Sequence, residues 1–251
     1  MIIVKSDREI EIMKEGGKML KELFLLLKEN VKEGVTTKEL DRLAERFIKK
    51  SGGRPAFKGY GGFPASICTS VNEVVIHGIP RNYELKDGDI IGIDVGILYK
   101  GYFTDTAYTF SVGKIDGLKE KLIEATKKSL YAALDKARAG NRLSDISNAV
   151  QTCAESCGFS VVREFCGHGV GKELHEDPQI VNYGPPNRGP ILKAGMTLAI
   201  EPMINAGAPD VAILKDGWTV VTKDNSPSAH FEHTIAIASD GKEPIIITEW
   251  E

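Results

Sequence analysis

Apolar and polar positions in the first half of the chain follow first a helical period and then a period of two, which predicts helices followed by strands. Two capping-box patterns, each a hydroxyl residue with a glutamate three positions later, predict helix starts at Ser6 with Glu9 and at Thr36 with Glu39. The first helix is expected to run to about Asn30, and the second to end before Gly52. Period-two runs then predict strands at 66–76, 89–98 and 102–112.

The second half repeats this order of elements. Helices are predicted near 117–139 and 144–157, and strands near 160–166, 196–206 and 230–238. Two glycine pairs recur at a separation of 106 residues, Gly34 with Gly140 and Gly52 with Gly158, and LKDGDIIGID (85–94) matches LKAGMTLAIE (192–201). Chance alignment of turns is the alternative, but several matches at nearly one offset favour a duplicated unit around a pseudo-twofold axis. Asp94 then has a counterpart in Glu201.

The composition is that of a globular protein, with 42% hydrophobic and 27% charged residues and a net charge of -3. Nothing in it calls for a nucleic-acid or membrane partner. The chain has neither a signal-peptide pattern nor an apolar run of about eighteen residues, so we expect a cytoplasmic protein with reduced thiols. The spacing of the cysteines does not suit a zinc site, and reduced core residues are expected at Cys68, Cys153, Cys157 and Cys166.

Acidic residues occur in four of the predicted strands. Alternation places each acid on a face shared with small residues: Asp94 with Gly92 and Gly96, Asp105 with Ala107 and Thr109, Glu201 with Ala199 and Thr197, and Glu232 with Thr234 and Ala236. These faces are expected to leave space for something other than side chains. The acids need a reason, because a buried carboxylate without a partner costs several kcal/mol or takes up a proton.

A hairpin turn at 98–101 would bring Asp94 and Asp105 opposite or nearly opposite each other. Two facing carboxylates can share a proton or bind divalent cations. With Glu201 and Glu232 the cluster has four carboxylates, which is too much negative charge for proton sharing. The count therefore favours two metal ions.

Histidines supply the candidate nitrogen ligand and proton carriers. His168 lies between glycines in CGHGVG and is the candidate ligand, although a lone histidine is more often structural. His77 and His175 lie at a predicted strand end and in a loop, where catalytic and solvent-exposed histidines both occur. His233 alternates to the face opposite Glu232, and His230 is also expected on that opposite face if the strand begins that early. Both are expected to be structural, or at most to support the ligands.

Several segments occur in the order and spacing of one family: NEVVIHGIP, GIDVG with TDTA, CGHGVG with LHEDP, IEPM and FEHT. On these residues the chain resembles the type I methionine aminopeptidases of the compact bacterial kind, over essentially its whole length. The resemblance implies an α+β, duplicated pita-bread fold of the creatinase/aminopeptidase type, with a central antiparallel sheet, flanking helices and pseudo-twofold symmetry. It implies a single catalytic domain, 1–251, of two related halves at about 1–113 and 114–251.

The resemblance also implies a dinuclear metal site. Asp94 would chelate one ion, and His168 and Glu201 would bind the other. Asp105 and Glu232 would bridge the two. These ligands leave the identity of the divalent ions open among Co, Mn, Fe and Zn.

The same resemblance implies the catalytic roles. Glu201 would be the general base for a water activated by the metals. His77 would contact the scissile amide nitrogen or the leaving group, and His175 would stabilise the oxyanion. The implied reaction is removal of an N-terminal methionine from short peptides or nascent chains, with the ribosome as a candidate meeting place and the monomer as the expected form.

A narrow apolar pocket for methionine is implied at Tyr60, Phe63, Cys68, Leu174 and Trp218. Ordinary core packing is the alternative for each of these residues, and Leu174 supplies less aromatic character than expected. The sequence does not decide whether a monovalent cation binds near Asn72, Val74 and Ser228.

Two rival functions stay open. A proline dipeptidase-like metallohydrolase of the same fold usually carries a substantial N-terminal domain, whereas this chain starts almost at its first helix. A non-catalytic binding module of that fold should have lost ligands, whereas all five metal positions hold competent residues here.

Overall fold

The computed structural model describes residues 1–239 and 242–249. Its helices are α1 (Asp7–Asn30), α2 (Thr37–Lys50), α3 (Gly117–Lys136) and α4 (Leu143–Ser156). The strands of the first half are β1 (Arg54–Pro55), β2 (Cys68–Val71), β3 (Val74–Ile76), β4 (Ile90–Tyr99) and β5 (Tyr102–Ser111). The second half contributes β6 (Ser160–Val161), β7 (Cys166–Gly169), β8 (Glu176–Val181), β9 (Thr197–Ile200), β10 (Met203–Asn205), β11 (Val211–Ile213), β12 (Val220–Thr222), β13 (Ser228–His230), β14 (Glu232–Ala236) and β15 (Ile245–Ile246).

The first two helices begin at the predicted capping boxes. The amide of Ser6 donates to the Glu9 carboxylate at 2.8 Å, and the amide of Thr36 donates to Glu39 at 2.8 Å. Each bond satisfies a backbone donor that has no partner within the helix. The predicted starts of α1 and α2 are therefore confirmed.

A two-residue turn joins β4 to β5. Lys100 has φ 47° and Gly101 has φ 84°, the left-handed pair that matches the twist of a tight hairpin. Because the turn sets the register, Asp94 pairs with Ala107 and Asp105 pairs with Gly96. The two aspartates are therefore diagonal neighbours on one face, as the expected hairpin requires.

A nine-stranded sheet forms the centre of the molecule, in the order β1-β4-β5-β14-β9-β7-β8, with β2 beside β4 and β15 beside β14. All of its neighbouring strands run antiparallel. The strand order repeats in the two halves. In the first half β2, β4 and β5 are successive neighbours, and in the second half β7, β9 and β14 are successive neighbours in the same way. The halves meet where β5 pairs with β14. The implied α+β pita-bread architecture is confirmed.

Each half of the sheet is covered by its own pair of helices. Leu23 and Phe24 of α1 pack with Ile91, Ile93 and Val95 of β4 in one buried cluster. The helices α3 and α4 pack in the same way on apolar residues of β9 and β14. Because side chains alternate along a strand, the acids of β4 and β14 face away from these helices, into the space where the site lies.

Four predicted strands are interrupted in the structure, and this corrects their expected lengths. The runs at 66–76, 160–166, 196–206 and 230–238 each form two short strands. Asn72 breaks the first run with φ 51°, and Pro202, which lacks an amide donor, breaks the third. The ladder hydrogen bonds cannot continue through such positions.

The cysteines are all free. Only Cys68 is buried, whereas Cys153 and Cys166 are half-buried and Cys157 is exposed. The expectation of core cysteines is wrong for Cys157, because it caps the end of α4 beyond the last buried turn.

None of the helices within the described ranges has the length and apolar character needed to span a bilayer.

Candidate active site

One cavity gathers side chains from both halves of the molecule. Its volume is about 120 Å³, close to the roughly 150 Å³ of an apolar cavity that accommodates benzene, so it matches one large side chain in size. The residues that line it are Phe57, Tyr60, Phe63, Cys68, His77, Asp94, Asp105, His168, Leu174, His175, Glu201, Trp218 and Glu232. Every metal, catalytic and pocket residue expected from the sequence is in this set.

A row of directly paired residues crosses the sheet beneath the cavity. Asp94 of β4 pairs with Ala107 of β5, and Ala107 pairs with Glu232 of β14. The methyl group of Ala107 therefore lies between two carboxylates and leaves the space above it open. Asp105 lies two residues before Ala107 and so shares its face. Three carboxylates from three strands meet in this way.

A second, adjacent row brings a histidine to the same face. The Thr234 hydroxyl donates to the Asp105 carbonyl oxygen at 2.7 Å and accepts from the Asp105 amide at 3.0 Å. Thr234 pairs with Ala199 of β9, and Ala199 pairs with His168 of β7. Small residues thus separate Asp105 from His168, which leaves the imidazole free to reach the carboxylates.

Glu201 enters the site from a strand end, since β9 stops one residue before it and Pro202 follows. Its carboxylate lies between two imidazoles. Oε1 is 3.6 Å from Nε2 of His168, and Oε2 is 3.6 Å from Nε2 of His230. The prediction that Glu201 lies inside a strand is wrong, although the residue does face the cavity.

The four carboxyl groups are buried close together, and their pKa values are all raised. Burial raises the pKa of Asp105 to about 7. Burial, and then repulsion from Asp105, raises the pKa of Glu201 and of Glu232 well above the usual range, and the same two causes raise the pKa of Asp94. One oxygen of each of Asp94, Asp105 and Glu232 is buried without a hydrogen-bond partner among the described residues. Such a cluster must hold protons or bind cations.

His168 is oriented as a nitrogen ligand. Its Nδ1 lies 2.9 Å from the carbonyl oxygen of Gly169. Because a carbonyl only accepts, Nδ1 carries the proton and Nε2 keeps its lone pair. Burial, and then repulsion from His175, lowers the pKa of His168 to about 4, so the imidazole is neutral at pH 7.

The donor set fits a divalent metal. One ligand atom from each of Asp105, His168 and Glu232 lies within 4.8 Å of the other two. Carboxylate oxygens with one imidazole nitrogen suit Mn, Fe, Co or Zn. A cation would also remove the repulsion that raises the pKa values of the acids. The residues present therefore match the metals that the resemblance implies.

His77 stands at the side of the cavity, directly after β3. Its φ is 57°, a left-handed conformation that costs a non-glycine residue of order 1–3 kcal/mol. Its ring packs edge-on at 5.9 Å from Phe165 and 6.3 Å from Trp218. Burial, and then repulsion from His175, lowers the pKa of His77 to about 4. The imidazole is therefore neutral and can donate a hydrogen bond at pH 7.

His175 lies on the loop between β7 and β8, at the mouth of the cavity. Its Nδ1 and the Tyr60 hydroxyl are 2.7 Å apart, and its ring centroid is 4.3 Å from that of His168. Burial lowers the pKa of His175. The two contacts hold the imidazole between His168 and the apolar wall.

The apolar wall of the cavity is largely aromatic. Phe63 and Trp218 meet edge to face, with centroids 5.2 Å apart. Leu174 and Cys68 are buried beside them. Burial, and then repulsion from Asp94, raises the pKa of the Cys68 thiol, which keeps this group uncharged. The wall therefore presents apolar and polarizable atoms next to the acidic cluster.

Phe57 and His230 are two further neighbours of the site. Phe57 completes the wall from a loop with no periodic pattern. His230 lies beside Glu201, so the expectation that it faces away from Glu232 is wrong. Residues 230 and 232 are two positions apart, and alternation places such a pair on the same face.

The space beside one glycine is filled, which corrects one expectation. A Cβ at Gly96 would lie 2.8 Å from the Phe57 ring and 2.8 Å from the Cβ of Ala56. This position therefore admits Phe57 to the wall of the cavity and does not itself border open space.

Comparison with known proteins defines the class. The chain belongs to metallopeptidase family M24, whose model matches residues 11–239. Within that family its relatives are methionine aminopeptidases. Methionine aminopeptidase 1 of Bacillus subtilis (strain 168) is 58% identical over 241 residues, which cover 96% of this chain and 97% of the relative.

Solved structures agree with this placement. The crystal structure of methionine aminopeptidase from Rickettsia prowazekii superposes with a TM-score of 0.97 at 42% identity, over 99% of this chain and 100% of that one. The prolidase of Pyrococcus horikoshii OT3 gives a TM-score of 0.81 at 23% identity, and this chain covers 65% of it. The prolidase therefore shares the fold alone.

Proposed function

We propose that this protein removes the N-terminal methionine from peptides by metal-assisted hydrolysis of the first peptide bond. The observation that carries the proposal is the floor of the cavity. There, unpartnered carboxylate oxygens and the lone pair on Nε2 of His168 converge inside a cavity of about 120 Å³ whose other wall is aromatic. The names of the relatives point to the same reaction.

Two divalent ions are proposed at this floor. Asp94 would hold one ion, His168 and Glu201 the other, and Asp105 and Glu232 both. The ions would act as Lewis acids and would lower the pKa of a water to near neutrality. The arrangement of three carboxylates over Ala107 supports this assignment, because it places acids from both halves above one small residue.

Glu201 is proposed as the general base, since its carboxylate is the one held between two imidazoles at the edge of the cluster. A carboxyl group with a raised pKa is suited to take a proton near neutral pH. His77, neutral at pH 7, would donate a hydrogen bond at the scissile amide nitrogen or the leaving group.

His175 is proposed to stabilise the developing oxyanion. When the Tyr60 hydroxyl donates to Nδ1, the neutral imidazole carries its proton on Nε2. That proton can be donated to the substrate carbonyl oxygen as negative charge develops. Tyr60 would thereby select the useful tautomer.

Selectivity for methionine is proposed to reside in the apolar wall. Thioether sulfur makes favourable contacts with aromatic rings, and Phe57, Phe63 and Trp218 supply three such rings. The small volume admits one side chain, and the free α-amino group of the peptide would lie near the carboxylates. Both features favour an exopeptidase.

The substrates proposed are short peptides and nascent chains. We place the activity in the cytoplasm, where the four free thiols would stay reduced, and we propose that the monomer is active because one chain supplies the whole set of site residues.

The test is hydrolysis of Met-Ala-Ser by protein reconstituted anaerobically with Mn(II), Co(II) or Fe(II). Release of free methionine, abolished by a chelator and restored by metal, is the expected result. Preferential cleavage of an Ala-Pro dipeptide would contradict the proposal in favour of a prolidase-type activity, and no cleavage of any short peptide would indicate a binding module.

A further inference from the structure

A buried ion pair lies directly behind the loop that carries His175. The Lys5 ammonium group contacts the Glu176 carboxylate, and their side chains are only 2% and 4% exposed. Neither residue lines the cavity. Removing two charges from water costs several kcal/mol per ion, so such a pair is weak evidence for stability. Its position next to His175 suggests a different role.

The Glu176 carboxylate links the loop to Lys5 through its two oxygens. Oε1 accepts hydrogen bonds from the amides of Lys172 at 2.8 Å and of Glu173 at 3.3 Å, while Oε2 accepts from the Lys5 ammonium. Both amides belong to the β7–β8 loop, whose next residues are Leu174 and His175. The conformation of the loop is therefore joined to a charge on the N-terminal segment.

Lys5 is itself held in place. Its amide donates to the Gly195 carbonyl oxygen at 2.8 Å, and its ammonium donates to the Ile3 carbonyl oxygen at 3.3 Å. A Cβ at Gly171 would lie 2.3 Å from Cε and 2.7 Å from Nζ of Lys5, and a Cβ at Gly195 would lie 2.5 Å from the Lys5 carbonyl oxygen. Two glycines thus provide the room that this side chain and its backbone occupy.

We propose that Lys5 and Glu176 are positioning residues that hold the β7–β8 loop so that His175 meets Tyr60 and faces the substrate. The proposal rests on the function proposed above. Without the ammonium, the buried Glu176 carboxylate would lose its counter-charge and would move toward water. The amides of Lys172 and Glu173 would then lose a charged acceptor. The loop could shift, and the His175 imidazole would no longer be held at its position beside Tyr60.

The test compares Lys5→Met, which keeps the unbranched stem but removes the charge, with Lys5→Arg, which keeps a cation. We expect Lys5→Met to lower kcat for Met-Ala-Ser by at least about tenfold, because a misplacement of about 1 Å can cost 10²-fold in rate. Lys5→Arg should recover much of the loss. The matched control is Lys14→Met, which breaks the exposed pair with Glu11 and should retain the wild-type kcat.

A double-mutant cycle separates positioning from a general structural defect. In the His175→Ala background, Lys5→Met should change kcat by less than about twofold, since the imidazole that it positions is absent. Mn(II) affinity by calorimetry should stay within about threefold of wild type in Lys5→Met. Fully additive effects in the cycle, or a wild-type kcat in Lys5→Met, would overturn the proposal. Glu176→Gln replaces Lys5→Met in the cycle if that variant does not fold.

A second readout does not depend on activity. In imidazole ¹H–¹⁵N spectra, the His175 signals should shift in Lys5→Met while those of His77 stay in place. If the wild type cleaves no methionyl peptide, the proposed function fails, yet this comparison still tests the positioning. Unchanged His175 signals would refute the positioning role.

Discussion

The Tyr60 hydroxyl lies 2.7 Å from Nδ1 of His175, and it joins two residues that stand 115 positions apart in the chain. Tyr60 belongs to a single 3-10 turn, Tyr60–Gly62, whereas His175 belongs to the β7–β8 loop. Each loop contributes one side of the cavity mouth, so this hydrogen bond fixes the distance between the two sides.

Tyr60→Phe removes the donor while it keeps the ring. We expect kcat for methionyl peptides to fall about tenfold, because the His175 imidazole can then carry its proton on either nitrogen. Only the tautomer with the proton on Nε2 would fill the proposed oxyanion role. Steady-state kinetics would measure this, with Tyr183→Phe, outside the cavity, as control. An unchanged kcat in Tyr60→Phe would show that the tautomer is set by another group.

Asp105→Asn should weaken metal binding more than any other single change in the cluster. Asp105 is paired diagonally with Asp94 and joined through Thr234 to β14, so it lies at the centre of the acids. Loss of one charge there should lower Mn(II) affinity by at least about 100-fold, since even the outer partners of metal ligands are worth 10–100-fold. Calorimetry would give affinity and stoichiometry, and the exposed Asp210→Asn is the control.

Retention of full Mn(II) affinity in Asp105→Asn would place the metal ligands elsewhere. The neighbouring carboxylates would then have to account for binding without a bridge from β5.

The metal-free protein should lose stability as the pH rises above about 7. The buried histidines do not contribute to this change in stability, because above the usual histidine pKa of 6.5 they are neutral in both the folded and the unfolded state. Asp94, Glu201 and Glu232 have pKa values raised well above the usual range by burial. The folded state therefore binds more protons than the unfolded state, and its free energy of unfolding falls with increasing pH.

Thermal unfolding at about pH 7 and about pH 8.5 would measure this effect. The Tm of the chelator-treated protein should fall over this range, whereas Mn(II) should stabilise the protein more at the higher pH, where the ligands lose their protons more readily. A Tm difference between the two forms that narrows as the pH rises would contradict the assignment of these carboxyls.

His230→Leu should slow the reaction, and His230→Gln should largely preserve it. The Nε2 of His230 is buried, has no hydrogen-bond partner among the described residues and lies 3.6 Å from Glu201. Burial lowers the pKa of His230 to about 3, so the ring is neutral. It can orient Glu201 only if the 3.6 Å gap closes to a hydrogen bond in the metal-bound protein, a role that an amide can also fill. We expect about a tenfold loss of kcat in the leucine variant, and equal losses in both variants would argue for simple packing.

The hairpin and the acid-bearing faces were predictable because local rules determine them. Lys100 and Gly101 form the tight turn, and period-two alternation then sets which side Asp94 and Asp105 occupy. The starts of α1 and α2 were predictable for the same reason, since each capping box is contained in four consecutive residues.

The contacts of Glu201 and His230 were not predictable by such rules. Their proximity depends on the backbone break at Pro202 and on the pairing of β9 with β14, two strands far apart in sequence. The strand β8 was also missed, because Pro178 interrupts its alternation. Long-range pairing of this kind leaves no periodic trace in the sequence.

The row formed by Asp94, Ala107 and Glu232 also has a consequence for synthesis. Its members come from both sides of the seam between β5 and β14, and Glu232 is the last of the acids to be translated. No growing chain can assemble the metal site before residue 232 has emerged and packed against β5. Hydrolytic activity should therefore appear late and all at once during translation, and metal uptake can serve as a reporter that the two halves have closed on each other.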